Sequence, residues 1–480
     1  FYTAESLVER GELSLEGPKR FFGRVAENGK FYAPYGPLCS VVSAPFYGVG
    51  TFLAESLNAP EQQKENIRWV ATAFSNTTIA AAAVAVFFLL ARRLGAERKA
   101  ALIASLVFGL CTPIWHYATT YFSESLSAFL VVLAAERVAA HRQSTDWKMW
   151  LAVSIPVALL CLARMTQALV YPLFVIAAFL FAWTAIQRKQ GGGRSIRSVL
   201  PGALRCTTAY TVLPALTLAG YCLWNYIRFG DPLQPGYPAT IDGRAFDAFD
   251  ESFLRGLYGL TLSPGKGLFL FAAPTLVGLF AARRFVKTNG LGIAAWLAIP
   301  LAPLLFFATY TYWEGGYCWG PRFLLPTLAF WILPLALHPP CTRFGQVALA
   351  GTAATSFALG ALGTSVSFLE CQVKNGYYTS EFRYLPEYSA VGESLKTFTH
   401  YANEAFAGRF LTEESGVGFD FWFFFLSKEG VATGTLVMSV SALVIGLAAS
   451  ACWVSRELRG NDETSAKEPE SVREAELTTT

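Results

Sequence analysis

The chain has 480 residues, of which 53% are hydrophobic and only 15% are charged, whereas about 25% of the residues of a typical soluble domain are charged. This composition argues against a soluble globular protein. The net charge of +4 does not indicate nucleic-acid binding, because the basic residues lie in short clusters between apolar runs instead of on one continuous face. We therefore expect membrane lipids as partners and no nucleic acid.

Apolar windows of about 20 residues, the length that an α-helix needs to cross a bilayer core, recur along the chain. The sequence predicts an all-α polytopic membrane protein, with a transmembrane bundle of about eleven helices in residues 66–455. The predicted spans lie near residues 66–91, 100–118, 121–140, 149–163, 166–186, 206–227, 267–282, 290–310, 322–337, 346–369 and 431–454. Residues 38–57 are also apolar, but Pro45, Gly48 and Gly50 interrupt them, so we expect a helix that lies in the membrane interface.

Alternate connections between the predicted spans carry the positive charge, and the positive-inside rule places such connections in the cytoplasm. Residues 1–65 then form a first outer, periplasmic loop that includes the interfacial helix. The polar residues 456–480 form a disordered cytoplasmic tail. Further outer loops lie near residues 228–266, 311–321 and 370–430. We expect a multi-pass protein of the cell (inner or plasma) membrane whose chemistry lies on the outer side.

The outer loops are rich in aromatic residues, which an ordinary aromatic belt would explain in part. The run from Trp313 to Arg322 adds charge to that pattern: Glu314 and Trp319 lie within it, and Arg322 stands at the start of a span. A guanidinium group in that place can bind a donor phosphate through two hydrogen bonds while the attached lipid stays in the bilayer. We predict that Trp313, Glu314 and Trp319 bind the sugar or acceptor; in the alternative, Arg322 only extends to lipid headgroups.

Two more charged residues are predicted at the outer ends of spans. Glu124 begins one span, and an ionisable group at membrane depth indicates a functional site, although solvation at the interface is an alternative. Arg164 lies between two apolar runs where a hairpin should turn; it is either a second phosphate ligand or a cap on the preceding helix. Tyr121, close to Glu124, and Tyr32, in a turn-rich segment, are predicted to contribute to sugar or acceptor binding.

Standard nucleotide and metal motifs are not found in the sequence. The run Gly259–Gly265, followed by Lys266 and Gly267, has one residue too many for a phosphate-binding loop and lacks the Ser or Thr that follows the lysine. The four histidines have no metal-ligand spacing. We assign no metal ligands and no certain cofactor, and a divalent metal is left open.

The order of these pieces resembles the GT-C superfamily, and within it the group of protein O-mannosyltransferases and lipid A aminoarabinose transferases. The resemblance rests on residues 1–11, on residues 30–38 before a proline-containing helix, and on the span that ends before Gly95. It also rests on the Trp-Glu-Gly-Gly and Trp-Gly-Pro-Arg element of residues 313–322, with Leu-Ser-Pro-Gly-Lys-Gly-Leu (262–268) before it. It covers most of the membrane region, by layout more than by identity.

The resemblance implies a GT-C-like helix bundle that transfers sugar from a polyprenyl-phosphate donor to a protein, lipid or glycan acceptor on the outer face. It also implies a catalytic acid in the first outer loop, which would lie just upstream of Phe1 after a first transmembrane helix; Glu5 and Glu9 do not match that motif. Glu124 resembles the acid of the second outer loop and is expected to be an auxiliary acid that assists acceptor or metal binding.

Two other classes of function remain open from the sequence. A transporter or lipid flippase would be expected to show inverted repeats and broken helices at the membrane midplane, and no clear repeat is seen. In a purely structural membrane subunit, Glu124, Arg164 and Arg322 would be independent anchors. A shared site instead requires that these three residues converge on one cavity. Residues 370–430 are predicted to fold over the outer face and to select the acceptor, through Tyr377, Tyr378, Tyr384, Tyr388 and Trp422.

Overall fold

The computed structural model describes residues 1–15, 23–190, 195–237, 240–241, 244–245, 249–367 and 380–407, together with helical positions between 438 and 454. Tyr377, Tyr378 and Trp422, which were predicted to cover the outer face, lie outside these residues. The predicted tail, residues 456–480, also lies outside them.

Most of the described part of the chain is helical, and strands are very few. Its strands form two antiparallel pairs, in which Arg24 pairs with Tyr32 and Thr240 pairs with Ala245. The strands are β1 Arg24–Val25, β2 Phe31–Tyr32, β3 Thr240–Ile241 and β4 Arg244–Ala245. The α-helices are α1 Tyr2–Arg10, α2 Pro37–Ser56, α3 Glu61–Arg93, α4 Arg98–Leu110, α5 Ile114–Ala118, α6 Glu124–His141, α7 Trp147–Val153, α8 Ile155–Ala163, α9 Tyr171–Lys189, α10 Ile196–Phe229, α11 Phe253–Thr261, α12 Leu268–Phe271, α13 Pro274–Thr288, α14 Leu291–Ala294, α15 Leu301–Phe307, α16 Leu328–Leu337, α17 Arg343–Ser365, α18 Ser380–Tyr384 and α19 Ala390–Phe406. The 3₁₀ helices are Met165–Val170, Ala295–Ala298, Arg322–Thr327 and Pro386–Tyr388.

Several described helical stretches have the length and composition of transmembrane helices. Five are long and apolar enough to cross a membrane: Pro37–Ser56, Gln63–Arg93, Met165–Lys189, Ile196–Phe229 and Arg343–Ser365. Shorter apolar stretches are Trp147–Ala163, Leu291–Phe307, Arg322–Leu337 and Leu443–Cys452. The described chain is therefore all-α, as predicted, with the apolar helices of a membrane protein. The number of spans and their orientation stay predictions.

Helix α6 is buried in the middle of the bundle. It packs against α3, α8 and the 3₁₀ helix Arg322–Thr327, and most of its 18 residues are buried. Many of these buried residues are serine or alanine, and such small side chains let neighbouring helices approach closely. The helix also carries Glu124 and Glu136, and its burial places these two charges against protein.

Some of the predicted spans consist of more than one helix. Residues 100–118 form α4 and α5, which are separated at Pro113. Residues 322–337 begin as a 3₁₀ helix that contains Pro326 and continue as α16. Proline has no N–H group to continue a helix and its ring crowds the preceding turn. The apolar windows therefore indicate where helical segments lie, but not where the segments are divided.

The segment before α2 packs directly on the backbone of α8. A Cβ atom at Gly36 would lie 2.1 Å from the carbonyl oxygen of Leu162, so only glycine permits this approach. Helix α2 then continues unbroken through Pro45, contrary to the interruption that the sequence suggested. Its expected position in the membrane interface stays a prediction. The close approach at Gly36 places the preceding loop beside the end of α8, where Arg164 follows.

Candidate functional site

Three residues predicted from the sequence come together at the start of α6. Glu124 Oε1 accepts a hydrogen bond from Arg322 Nε at 2.5 Å and another, shorter one from Arg164 Nη1. The arginines are 40 and 198 residues from Glu124 along the chain. Glu124, Arg164 and Arg322 form the Glu124 cluster, and their side chains are 1%, 12% and 10% exposed. The convergence that a shared site requires is therefore present, while the roles of the three residues stay predictions.

Each arginine of the Glu124 cluster lies at an interruption between helices. Arg164 follows α8 with an extended backbone, and a 3₁₀ helix begins at the next residue. Arg322 begins the 3₁₀ helix that follows Pro321. Glu124 is the first residue of α6, where the free N–H groups and the helix dipole favour a negative charge. These interruptions bring both guanidinium groups to the N-terminal end of α6.

The Glu124 cluster has one net positive charge, because one carboxylate pairs with two guanidinium groups. Aromatic rings cover both cations: Arg164 lies 4.9 Å from the ring centroid of Phe323, and Arg322 lies 4.4 Å from that of Phe122. Glu124 Oε2 is buried and has no hydrogen-bond partner among the described residues. The cluster thus combines excess positive charge, which favours an anion, with a carboxylate oxygen that is free to accept a hydrogen bond.

The loop that leads to Arg322 is held by contacts from Lys266 and Arg383 that sequence reasoning did not predict. The Lys266 ammonium donates to the carbonyl oxygens of Gly316 at 3.2 Å and Cys318 at 2.5 Å, and its side chain is fully buried. Arg383 Nη2 donates to Glu314 Oε1 at 2.8 Å. Lys266 lies in the glycine-rich run that does not match a nucleotide-binding motif. Its hydrogen bonds are instead to the loop before Arg322.

Glu314 is buried in this loop, with a side chain that is 1% exposed. Burial raises the pKa of Glu314, and the positive charge of Arg383 opposes that rise. Its second oxygen, Oε2, has no hydrogen-bond partner in the described part of the chain. Glu314 therefore binds a proton at a higher pH than an exposed glutamate does.

A cavity of about 260 Å³ adjoins the Glu124 cluster through Arg322. Its walls come from α1, the loop before α2, the beginning of α2, helix α3, the residues around the start of α6 and the end of α10. Most of the lining is apolar or aromatic, and Arg228 and Arg322 are the arginines among the described lining residues. Such a cavity suits a ligand that has an anionic group and a less polar remainder.

Two of the predicted sugar- or acceptor-binding residues line this cavity. Tyr32 stands on β2 and faces Arg228, whose guanidinium carbon is 5.1 Å from the centroid of its ring. Tyr121 lies just before α6, and its hydroxyl forms a hydrogen bond with Ser43 of α2. Both tyrosines are therefore placed where a ligand in the cavity would contact them.

The two predicted tryptophans have different surroundings. Trp313 and Trp319 are each 1% exposed, and neither they nor Glu314 are among the described residues that line the cavity. A Cβ atom on Gly259 would lie 2.3 Å from the Trp313 indole, and Trp319 packs edge-on against Phe271. Both indoles are packed within the protein in this structure, and their predicted stacking on a sugar stays a prediction.

Arg228 is a charged cavity residue that sequence reasoning did not select. It lies at the end of the aromatic run Trp224 to Phe229, which is recognisable in the sequence. Its importance depends on the tertiary structure, because a distant loop brings Tyr32 against it. In the described residues, no three His, Cys, Asp or Glu side chains are grouped as metal ligands.

Comparisons of the chain with protein-family models, with curated proteins and with solved structures found no match.

Proposed function

We propose that the protein is a membrane glycosyltransferase of GT-C type, which transfers a sugar from a polyprenyl-phosphate donor to an acceptor on the outer face of the cell membrane. The observation that carries this proposal is the position of Arg322. Its guanidinium group is held by Glu124 at 2.5 Å, and the same residue lines the cavity. A buried arginine with an oriented guanidinium group is suited to bind a phosphate.

The chemistry of sugar transfer explains why such an arginine is useful. When the bond between the anomeric carbon and the phosphate oxygen breaks, negative charge develops on the departing lipid phosphate. A preorganised guanidinium group stabilises this charge in the transition state. Because Arg322 Nε is bound to Glu124 and Nη1 donates to Gly315 only at 3.4 Å, the outer edge of the guanidinium group is available to a ligand.

Arg164 contributes to the same function through Glu124. It shares the carboxylate oxygen that accepts from Arg322, so it fixes the carboxylate and keeps the net charge of the cluster positive. Tyr32 and Tyr121 line the cavity and provide ring faces and hydroxyl groups of the kind that bind sugars. The acceptor in this proposal is a protein, a lipid or a glycan.

Transfer assays in proteoliposomes test the proposal. We expect wild-type protein to transfer sugar from one member of a panel of polyprenyl-phosphate sugars, and Arg322→Ala to abolish transfer while membrane insertion stays intact. The matched control is Arg137→Ala, which removes an arginine that pairs with Glu136 at the other end of α6; this variant should retain transfer.

Two results would contradict the proposal. Unchanged transfer by a folded Arg322→Ala protein would exclude the phosphate role of Arg322. Movement of a labelled lipid across the bilayer by the wild-type protein, without sugar transfer from any donor in the panel, would instead support the flippase alternative.

A further inference from the structure

Arg228 is a second arginine at the cavity, and the proposed function does not use it. It is the penultimate residue of α10 and is 3% exposed. It lines the cavity together with Trp224 of the same helix and Tyr32 of β2. A charged residue this deeply buried at a cavity wall requires an explanation, because burial of a charge is costly unless partners stabilise it.

The protein supplies only part of that stabilisation. The Arg228 guanidinium carbon lies 3.3 Å from the ring centroid of Trp224 and 4.6 Å from that of Phe229. Nη2 donates to Asn225 Oδ1 at 2.7 Å, and Nε makes a longer contact of 3.4 Å with the Trp224 carbonyl oxygen. Nη1 is buried and has no hydrogen-bond partner among the described residues. The described protein therefore leaves one guanidinium nitrogen of this cavity-lining residue without a hydrogen-bond acceptor.

In the described part of the chain, the positive charge of Arg228 has no negatively charged partner. No carboxylate within the described ranges forms an ion pair with it, whereas Arg322 in the same cavity is paired with Glu124. Stacking on aromatic rings and the nearby helix carbonyls reduce the cost of burying the cation. They do not neutralise it, so an anion that enters the cavity gains an attraction to a positive charge that no described carboxylate pairs with.

We infer that Arg228 is an anion-binding residue that takes a phosphate group of the ligand in this cavity. A phosphate suits the site because guanidinium groups bind its oxygens strongly and because Trp224 holds the planar group in one orientation. Arg322 lines the same cavity, so the cavity has two cationic residues that favour an anionic ligand. The inference deepens the proposed function by adding a second phosphate-binding residue, but it does not require sugar transfer.

A binding experiment on the full chain in lipid nanodiscs tests this inference. The probes are inorganic phosphate and a polyprenyl monophosphate, with affinity measured by calorimetry. We expect Arg228→Gln to weaken binding of the lipid phosphate by about tenfold to a hundredfold, the range for loss of one charge-assisted hydrogen bond. Arg228→Lys keeps the charge but loses the planar stacking group, so its affinity should lie between those of wild type and Arg228→Gln.

The matched control lies on the same helix. Arg205 of α10 also stacks on a tryptophan, with its guanidinium carbon 5.2 Å from the ring centroid of Trp147, but it is exposed and does not line the cavity. Arg205→Gln should bind both probes as the wild type does. Thermal unfolding of each variant reports whether it is folded.

The outcomes distinguish a free phosphate from a lipid phosphate as the ligand, and they test this inference separately from the proposed function. Weaker binding of both probes by Arg228→Gln supports a site for the phosphate group itself, and weaker binding of the lipid probe alone supports a lipid headgroup site. If folded Arg228→Gln binds both probes with wild-type affinity, the inference is overturned. If Arg228→Gln does not fold, wild-type affinity of Arg228→Lys for both probes overturns it. Phosphate binding that depends on Arg228, without any sugar transfer, supports the inference while the proposed function fails.

Discussion

Helix α6 has a buried glutamate near each end, and each glutamate pairs with two arginines. Glu124 and Glu136 are 12 residues apart, which corresponds to about 18 Å along an α-helix. Glu124 binds Arg164 and Arg322, whose side chains are 12% and 10% exposed. Glu136 binds Arg93 and Arg137, whose side chains are 45% and 41% exposed. Both glutamates are therefore buried, but the arginines are enclosed at the Glu124 end and half-exposed at the Glu136 end.

The two sites also differ in how their hydrogen bonds are used. Glu136 uses both oxygens, one for Arg93 and the other for Arg137 at 2.5 Å, so each of its oxygens has a partner, from the ends of α3 and α6. Glu124 uses one oxygen for both of its arginines, and Oε2 is left without a described partner. Only the Glu124 site adjoins the cavity, through Arg322. Half-exposed ion pairs are typical of a structural contact, whereas the enclosed charge of the Glu124 cluster beside the cavity is the observation on which the proposed ligand site rests.

The largest expected effect that tests this comparison is on stability. Glu124→Gln leaves two enclosed arginines without a counter-charge, and we expect it to lower the free energy of unfolding by about 3–5 kcal/mol. Glu136→Gln should cost only about 1–2 kcal/mol, because its half-exposed arginines can turn towards water or headgroups. Chemical unfolding in detergent measures both values. Equal losses would show that enclosure does not distinguish the two sites.

A smaller effect concerns the loop that supports Arg322. Gly315 has a left-handed backbone with φ +79°, and a Cβ atom there would lie 3.2 Å from both Arg322 Cβ and Cys318 Sγ. Gly315→Ala should therefore cost about 2–3 kcal/mol, from backbone strain and from crowding. The control is Gly11→Ala, which has φ +68° but no atom within 4 Å of the added Cβ; it should cost about 1 kcal/mol. Unfolding free energies give the comparison, and equal costs would mean that Arg322 is not confined by the loop.

The smallest expected effect is a pH dependence at Glu314. Burial raises the pKa of this carboxyl above its ordinary value of 4.5. The stability that the protonated form contributes is therefore fully present below pH 4.5, and it is lost as the pH rises through the raised pKa. Glu314→Gln cannot ionise and lacks this loss. The melting temperature of the wild type, relative to that of the variant, should therefore fall as the pH rises. An increase instead would show that the ion pair with Arg383 outweighs burial.

Local sequence patterns were enough to predict the class of fold and the residues of the Glu124 cluster. Composition and the length of apolar runs indicate membrane helices because the hydrocarbon core penalises every unpaired polar group. Glu124, Arg164 and Arg322 were recognisable for the same reason, since charge at the end of an apolar run is costly. Their pairing was a hypothesis, because nothing in a single sequence fixes which distant side chains share a carboxylate.

The aromatic residues show the limit of that reasoning. Trp313 and Tyr32 both belong to loops with the composition of a sugar site, yet Trp313 packs against Gly259 and Tyr32 lines the cavity. Whether a ring faces a cavity or the interior depends on which elements pack beside it, and composition is the same in both cases. Arg228 was overlooked for the same reason, because the loop that brings Tyr32 to it is almost 200 positions earlier in the chain.

The sequence by itself determined that apolar helices dominate this protein and that a few charges stand at their ends, because both properties follow from the cost of placing polar groups in hydrocarbon. The tertiary structure decided which charges pair, which of them adjoin a cavity and which aromatic rings line it. These are properties of distance and enclosure, and they arise only when helices far apart in the chain pack against α6.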